Sequence, residues 1–326
     1  MSVTIYDIAK EAGVSASTVS RVLNSSSLIS DERSSNIIEI ANRLGYTKRA
    51  IKKQKSRAIL NIKLVLGQLN DPSLPLVYSV PELIDGIKAG VPENQLNIIC
   101  ETSNKTKDLF SSKKSGQADA VIFAFCQVPK STEQYLKENN IPFLVLNRSP
   151  EENDFITFNN KEAMNELVKK SLVKTSRPVF LEMYSENEIT TERRQGFLNA
   201  CEELSIADYE FIQLNSLDEI DRHLLTNFTK KGKKQIVAMN DIIASVFMFQ
   251  ALKNSYKIPE DFSLSGFDGS SVSSMLASEL RTVSLQINKL GRKSGDWITK
   301  RVLEREEAAY QVYLKGKYIE GSTYSS

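Results

Sequence analysis

Residues 4–24 read TIYDIAKEAGVSASTVSRVLN, and this stretch leaves the chain few ways to fold. Thr4 stands three positions before Asp7, the spacing at which two side chains satisfy orphan amides of a first helical turn. Ile5, Ile8, Ala9 and Ala12 recur at helical spacing until Gly13, which takes the left-handed turn that ends a helix at little cost. Ser15 caps a second helix with Val19, Val22 and Leu23 on its inner face, leaving Ala16, Ser17, Ser20 and Arg21 outward. A third helix, led by Ser30, Asp31 and Glu32 and closed by Gly45, adds Ile37, Ile38, Ile40, Ala41 and Leu44 to the same small core. Three short helices held at a sharp angle make the helix-turn-helix plan, whose second helix lies in a DNA major groove. Small, polar and basic outward residues suit that place, since arginine grips guanine through two hydrogen bonds and Ala or Ser touches a thymine methyl.

Charge gathers at the same end. Residues 1–58 hold ten Lys or Arg against five Asp or Glu, a net of +5, whereas the remainder of the 326 residues carries a net of −3. A polyanion is therefore attracted to one end of the molecule. With 41% apolar residues the chain can bury a large core. It has no run of eighteen apolar residues and no basic stretch leading into an apolar segment, so it is expected in the cytoplasm without contact to a membrane. Cys100, Cys126 and Cys201 are far apart and unpaired by any C-x-x-C spacing; they read as reduced core residues, not a disulfide or zinc site. No metal and no cofactor is expected.

The opening stretch, followed by ANRLGY, resembles the N-terminal signature of the lactose/galactose repressor family of bacterial transcriptional regulators. The resemblance implies base contacts from Ala16, Ser17 and Arg21, and DNA-backbone contacts from Thr4, Ser15, Thr18, Ser20, Asn24, Ser30 and Tyr46. In that family the following connector forms a hinge helix on DNA, and a leucine wedge kinks the minor groove. Here the connector is TKRAIKKQKSR, polar and basic enough to be disordered alone. The register puts Lys55 at the wedge and Lys52 where alanine is common, so Lys48, Arg49, Lys52, Lys53 and Lys55 are expected to act on phosphates instead.

After Arg57 the pattern changes to short apolar runs, among them ILNIKLVLG, LNIIC, ADAVIFAF, PFLVLN, RPVFLEM, YEFIQL, QIVAMN and DFSLSGFD. Amphipathic helical segments fall between them, at residues 77–90, 129–139, 159–175, 191–205 and 241–255. This alternation predicts parallel sheets in two doubly wound lobes that meet at a cleft, where sheets of this kind bind ligands beside their strand ends. The resemblance continues here. TTERRQGF is similar to the family's R-x-x-G-F helix, VAMND to its A-N-D, FSLSGFD to its strand-then-aspartate and TVSLQ to its returning crossover. By implication Arg193, Asn240, Asp268 and Gln286 line the cleft, with Asp71 and Arg148 as further effector-binding candidates, and an arginine, an amide and a carboxylate suit the hydroxyls of a sugar. In LGQLNDPSLP, Gln68 and Asp71 stand for the family's polar pair and Ser73 and Leu74 for its aromatics, so no stacking platform is expected. Gly269 follows Asp268 where a second acid is frequent.

The expected architecture is an all-α three-helix helix-turn-helix headpiece at 1–47, a basic hinge at 48–58 and an α/β two-lobed doubly wound domain of the periplasmic-binding-protein type at 59–326. Lobe 1 takes about 59–157 and 288–308, and lobe 2 about 158–287 and 309–326. The expected function is a homodimeric regulator that reads operator DNA, a repressor of carbohydrate-utilisation genes gated by a sugar or sugar derivative. The alternative is a DNA-binding dimer whose large domain answers to a protein partner or to no small ligand. An enzyme is not expected: the single histidine, His223, lies in the polar stretch DEIDRHLL, and there is no G-x-S-x-G and no glycine-rich phosphate loop.

Overall fold

The computed structural model describes residues 5–15, 18–19, 22, 31–44, 59–67, 78–91, 95–102, 118–172, 174–184, 187–232, 234–276 and 278–324. The chain divides into two units, residues 1–56 and 57–326.

In the first unit, helix α1 spans Ile5–Ala12 and α2 spans Asp31–Arg43. Between them Thr18, Val19 and Val22 are helical. Gly13 takes φ +64°, the left-handed value expected of it. Ser15 caps the following turn, its Oγ accepting from the Thr18 amide at 3.2 Å. Ile8, Ala9, Val19, Val22, Ile37, Ile40 and Ala41 form the core. Ile38, expected inside, is 45% exposed because the inward stripe of α2 runs through 37, 40, 41 and 44, and position 38 is turned out of it.

The second unit contains two parallel sheets. Strands β1 (Ile59–Leu66), β2 (Gln95–Thr102), β3 (Ala120–Ala124), β4 (Phe143–Leu146), β5 (Asp154–Phe158) and β11 (Gln311–Leu314) form the first, in the order β11-β5-β4-β3-β1-β2. Strands β6 (Pro178–Met183), β7 (Glu210–Leu214), β8 (Gln235–Ala238) and β9 (Ser263–Ser265) form the other, in the order β7-β6-β8-β9. All pairings within both sheets are parallel. β3 and β4 are buried on both faces, which is why they read as unbroken apolar runs. The edge strand β2 has one side open, which leaves Cys100 exposed, contrary to its expected core position; Cys126 and Cys201 are buried.

Helices α3 (Val80–Ala89), α4 (Lys130–Glu138), α5 (Asn160–Ser171), α6 (Glu188–Glu203), α7 (Arg222–Lys230), α8 (Asp241–Lys253) and α9 (Ile287–Ile298) pack around the sheets. Several start at side-chain caps: Ser79 for α3, Asn187 for α6, Asp221 for α7 and Asn240 for α8. The helix pair α3 and α9 packs backbone to backbone through glycines. A Cβ on Gly86 would lie 2.4 Å from Asn288 O, and one on Gly291 2.3 Å from Leu83 O.

Strand β10 (Thr282–Ser284) pairs antiparallel with β12 (Lys317–Ile319), and the chain passes between the lobes three times: from β5 into α5, from β10 into α9, and from β11 into β12. Here the structure differs from the expected boundaries. Residues 311–314 belong to the first sheet through β11, so the last crossing follows Leu314 rather than residue 308.

Candidate functional site

On the second lobe the centre is Arg193, in the second turn of α6. Its Nη2 donates to Asp268 Oδ1 at 2.6 Å, its Nε to Asn160 Oδ1 at 3.2 Å and its Nη1 to the Met239 carbonyl at 3.0 Å. The guanidinium lies over the Phe267 ring, 4.1 Å from the centroid. Both members of the Arg193–Asp268 pair are buried, their side chains 3% and 2% exposed. A guanidinium has five N–H groups, and three are used here.

Asp268 is held in a strained backbone, φ 108°, by hydrogen bonds to the returning strand: its N donates to Val283 O at 2.9 Å and its O accepts from Leu285 N at 3.0 Å. Gly269 then passes so close to Ser284 that a Cβ would lie 2.5 Å from its Cα, which accounts for glycine in place of a second acid. Burial pushes the Asp268 carboxyl above its ordinary range, opposed by the Arg193 guanidinium. Behind it, Asp241 accepts from the Thr282 hydroxyl at 2.6 Å and the Ser270 amide at 2.7 Å. Burial, with the neighbouring Asp268 charge, pushes Asp241 up to about 7.

The first lobe contributes an aromatic platform. Tyr78, just ahead of α3, stacks on Phe125 with ring centroids 3.7 Å apart and planes 4° from parallel. The expected loss of stacking is therefore corrected. The aromatic ring stands at Tyr78, not at positions 73–74. Tyr78 accepts a hydrogen bond from Asn147 Nδ2 at 3.1 Å, and it lies near enough to Asp268, Arg193 and Arg148 to feel all three charges. Arg148 Nη1 donates to Asn147 O at 2.5 Å. Beside them Ser149 Oγ donates to the Glu188 carboxylate, and Ser149 N donates to it at 3.3 Å, joining the loop after β4 to the start of α6.

The structure places Arg193, Asp268 and Arg148 around Tyr78, and it puts two other candidates at helix starts. Asn240 uses its Oδ1 to cap α8, accepting from Ile243 N at 2.9 Å. Gln286 is half-buried in a left-handed conformation, φ 46°, at the entry to α9. Asp71 lies outside the described residues, as do Thr4, Ala16, Ser17, Ser20, Arg21, Asn24, Ser30, Tyr46, Lys48, Arg49, Lys52, Lys53 and Lys55. Of the residues assigned to DNA, Ser15 and Thr18 are described, their hydroxyls 2.8 Å apart at the start of the second helical turn. Sequence reasoning missed Tyr78, Asn147, Asn160 and Asp241. The signal for Asn147 was a buried-strand run ending in asparagine, which reads more readily as a turn.

A two-lobed, doubly wound unit with a polar cleft at its crossings, preceded by a helix-turn-helix unit, is the architecture of a ligand-responsive DNA-binding regulator. Residues 4–48 match the model of the lacI family of bacterial regulatory proteins, and residues 176–324 match the periplasmic binding protein-like domain. The chain is thus similar to the lacI regulators over its N-terminal segment and to the periplasmic binding protein-like domain over its C-terminal part. It is 25% identical to the ribose operon repressor of Halalkalibacterium halodurans over 97% of this chain and 95% of that one. It is 24% identical to the transcriptional repressor PurR of Vibrio campbellii, over 93% of each. Among solved structures, a LacI family regulator from Enterococcus faecium with bound ribose superposes with a TM-score of 0.69 at 18% identity, covering 81% of this chain and 98% of that one. The lac repressor dimer bound to operator and the anti-inducer ONPF superposes with a TM-score of 0.60 at 18% identity, over 99% of each chain.

Proposed function

We propose that the protein is a homodimeric repressor of carbohydrate-utilisation genes that reads a pseudopalindromic operator and is gated by a small polar effector held between its lobes. The observation that carries the effector half is the buried Arg193–Asp268 pair facing the Tyr78–Phe125 stack across the lobe crossings. An aromatic face with a carboxylate and a guanidinium at its edge suits a sugar ring, whose C–H face is apolar and whose hydroxyls both donate and accept. The ribose named with one structural neighbour and the ribose operon of one relative support the same ligand class. In this reading residues 1–47 read DNA, 48–58 connect, and 59–326 sense and dimerise. Its work is binding, not catalysis, and it is done in the cytoplasm beside the DNA.

The DNA half is tested with genomic fragments recovered on the protein. Arg21→Ala weakens the preferred fragment by ~1–3 kcal/mol and relaxes base preference at one position, as loss of a bidentate base contact does. Lys53→Ala weakens all sequences alike and lowers the salt dependence. Equal losses with unchanged preference in both variants would remove Arg21 from the reading face.

A further inference from the structure

Arg148 stands apart from the other partly buried arginines. Arg193 pairs with Asp268, Arg194 with Glu182, Arg281 with Glu320 and Arg301 with Asp154. Arg148 pairs with no carboxylate among the described residues. Its hydrogen bond goes to the Asn147 carbonyl, and its Nε is buried without a partner. Among the described residues, no neighbouring group forms an ion pair with it. Burial pushes the Cys126 thiol up to about 12 and holds the Tyr78 hydroxyl well above its ordinary range, so both are neutral, although both lie close enough to feel the arginine. The nearby acids are engaged elsewhere, Asp268 by Arg193 and Glu188 by Ser149. A cation withdrawn from water without a counter-charge is costly to fold and is well explained when a ligand supplies the charge.

The adjacent side chain points to the rest of that ligand. Asn147 is 1% exposed, and its Nδ2 is engaged by Tyr78, but its Oδ1 accepts no hydrogen bond. A buried acceptor beside a partly buried cation, on the edge of an aromatic stack, matches an anionic oxygen with a hydroxyl next to it. We propose that the effector is an anionic polyhydroxylated compound, a sugar acid or a sugar phosphate, whose charged group docks on Arg148 and whose neighbouring hydroxyl donates to Asn147 Oδ1. The inference rests on the cleft being the effector site, and it narrows the ligand class within it.

The test is calorimetric titration of the full-length protein with D-gluconate, D-galacturonate, ribose 5-phosphate and glucose 6-phosphate, with D-glucose and D-ribose as uncharged counterparts. At least one anionic probe binds more tightly than its counterpart. Arg148→Gln weakens that probe roughly 10- to 100-fold, the range for hydrogen bonds to a charged group, and erases the preference for charge. Binding by the carboxylates alone assigns a sugar acid, and by the phosphates alone a sugar phosphate. Unchanged anion affinity in Arg148→Gln, or neutral sugars bound at least as tightly as the anions, overturns the anion site. If a neutral sugar binds and is lost in Asp268→Asn, the cleft remains the sensor and only the anion site falls. If no probe binds, both fall.

Discussion

Asp241 carries the clearest pH signature of any residue in the cleft. Its carboxyl titrates near 7 in the folded chain against an ordinary 3.8, so the folded state keeps a proton that the unfolded chain has already released. Its contribution to stability is therefore complete below about pH 4 and declines as pH rises toward 7, by about 4 kcal/mol over the interval. Asp241→Asn removes that decline, and urea unfolding of the two proteins at pH 4.5 and 7.5 measures the difference in slope. Parallel pH profiles would show that Asp241 is not the group concerned. The neighbouring Arg193–Asp268 pair predicts a different pattern. Either Arg193→Ala or Asp268→Ala leaves an unpaired buried charge and costs roughly 3–5 kcal/mol, whereas the apolar double variant Arg193→Met/Asp268→Leu costs less than the sum of its parts. Additive losses in the same denaturation experiment would mean that the two charges do not depend on each other. Both residues were legible in the chain because each belongs to a recognisable run, R-x-x-G-F and a strand ending in aspartate. Asp241 was legible only as a helix-start acid. That its carboxylate ties Thr282 to Ser270 depends on contacts with residues 41 and 29 positions away in the chain, which no local pattern carries.

At the level of elements, the two-glycine contact between α3 and α9 is the most sensitive joint. Gly291→Ala drives a methyl into the Leu83 carbonyl and the Gly86 Cα, backbone atoms that cannot swing aside, and costs about 1–3 kcal/mol or more. Thermal unfolding measures this, and a variant as stable as wild type would show that the helices separate easily. The alternation of apolar runs with amphipathic segments was enough to mark eight strands and five helices, because parallel strands buried on both faces have a distinctive composition. Strands β5 and β11 were not marked. β5 is five residues long and begins with an aspartate, and β11 follows the charged EREEAAY and has exposed positions along one side. Assigning 311–314 to a lobe required the parallel pairing with β5, a register that the residues of β11 alone do not encode. Tyr78 was missed for a related reason. Tyr78 stands directly ahead of the Ser79 cap of α3, outside any apolar run, and its stacking on Phe125 joins segments far apart in the chain.

For the molecule as a whole, function depends on two lobes joined by three crossings and fastened at one edge by Ser149 and Glu188. Glu188→Ala releases that fastening. The unliganded protein then has a larger radius of gyration by small-angle scattering, and its apparent effector affinity falls roughly fivefold, because a smaller fraction of molecules is closed before ligand arrives. Unchanged scattering would show that the link does not set the lobe angle. The central claim is that closure around a ligand in the cleft changes the hold on DNA, and linkage limits that change to the ligand's differential affinity for the two states. It is tested most directly by measuring operator affinity by fluorescence anisotropy, with and without the best-binding compound of the calorimetric panel, for wild type and Asp268→Asn. The expected result is a shift of roughly 5- to 150-fold in wild type, no shift in the variant, and nearly equal operator affinity of the two proteins without ligand. An operator affinity indifferent to the bound compound, or a full shift retained in Asp268→Asn, would contradict it.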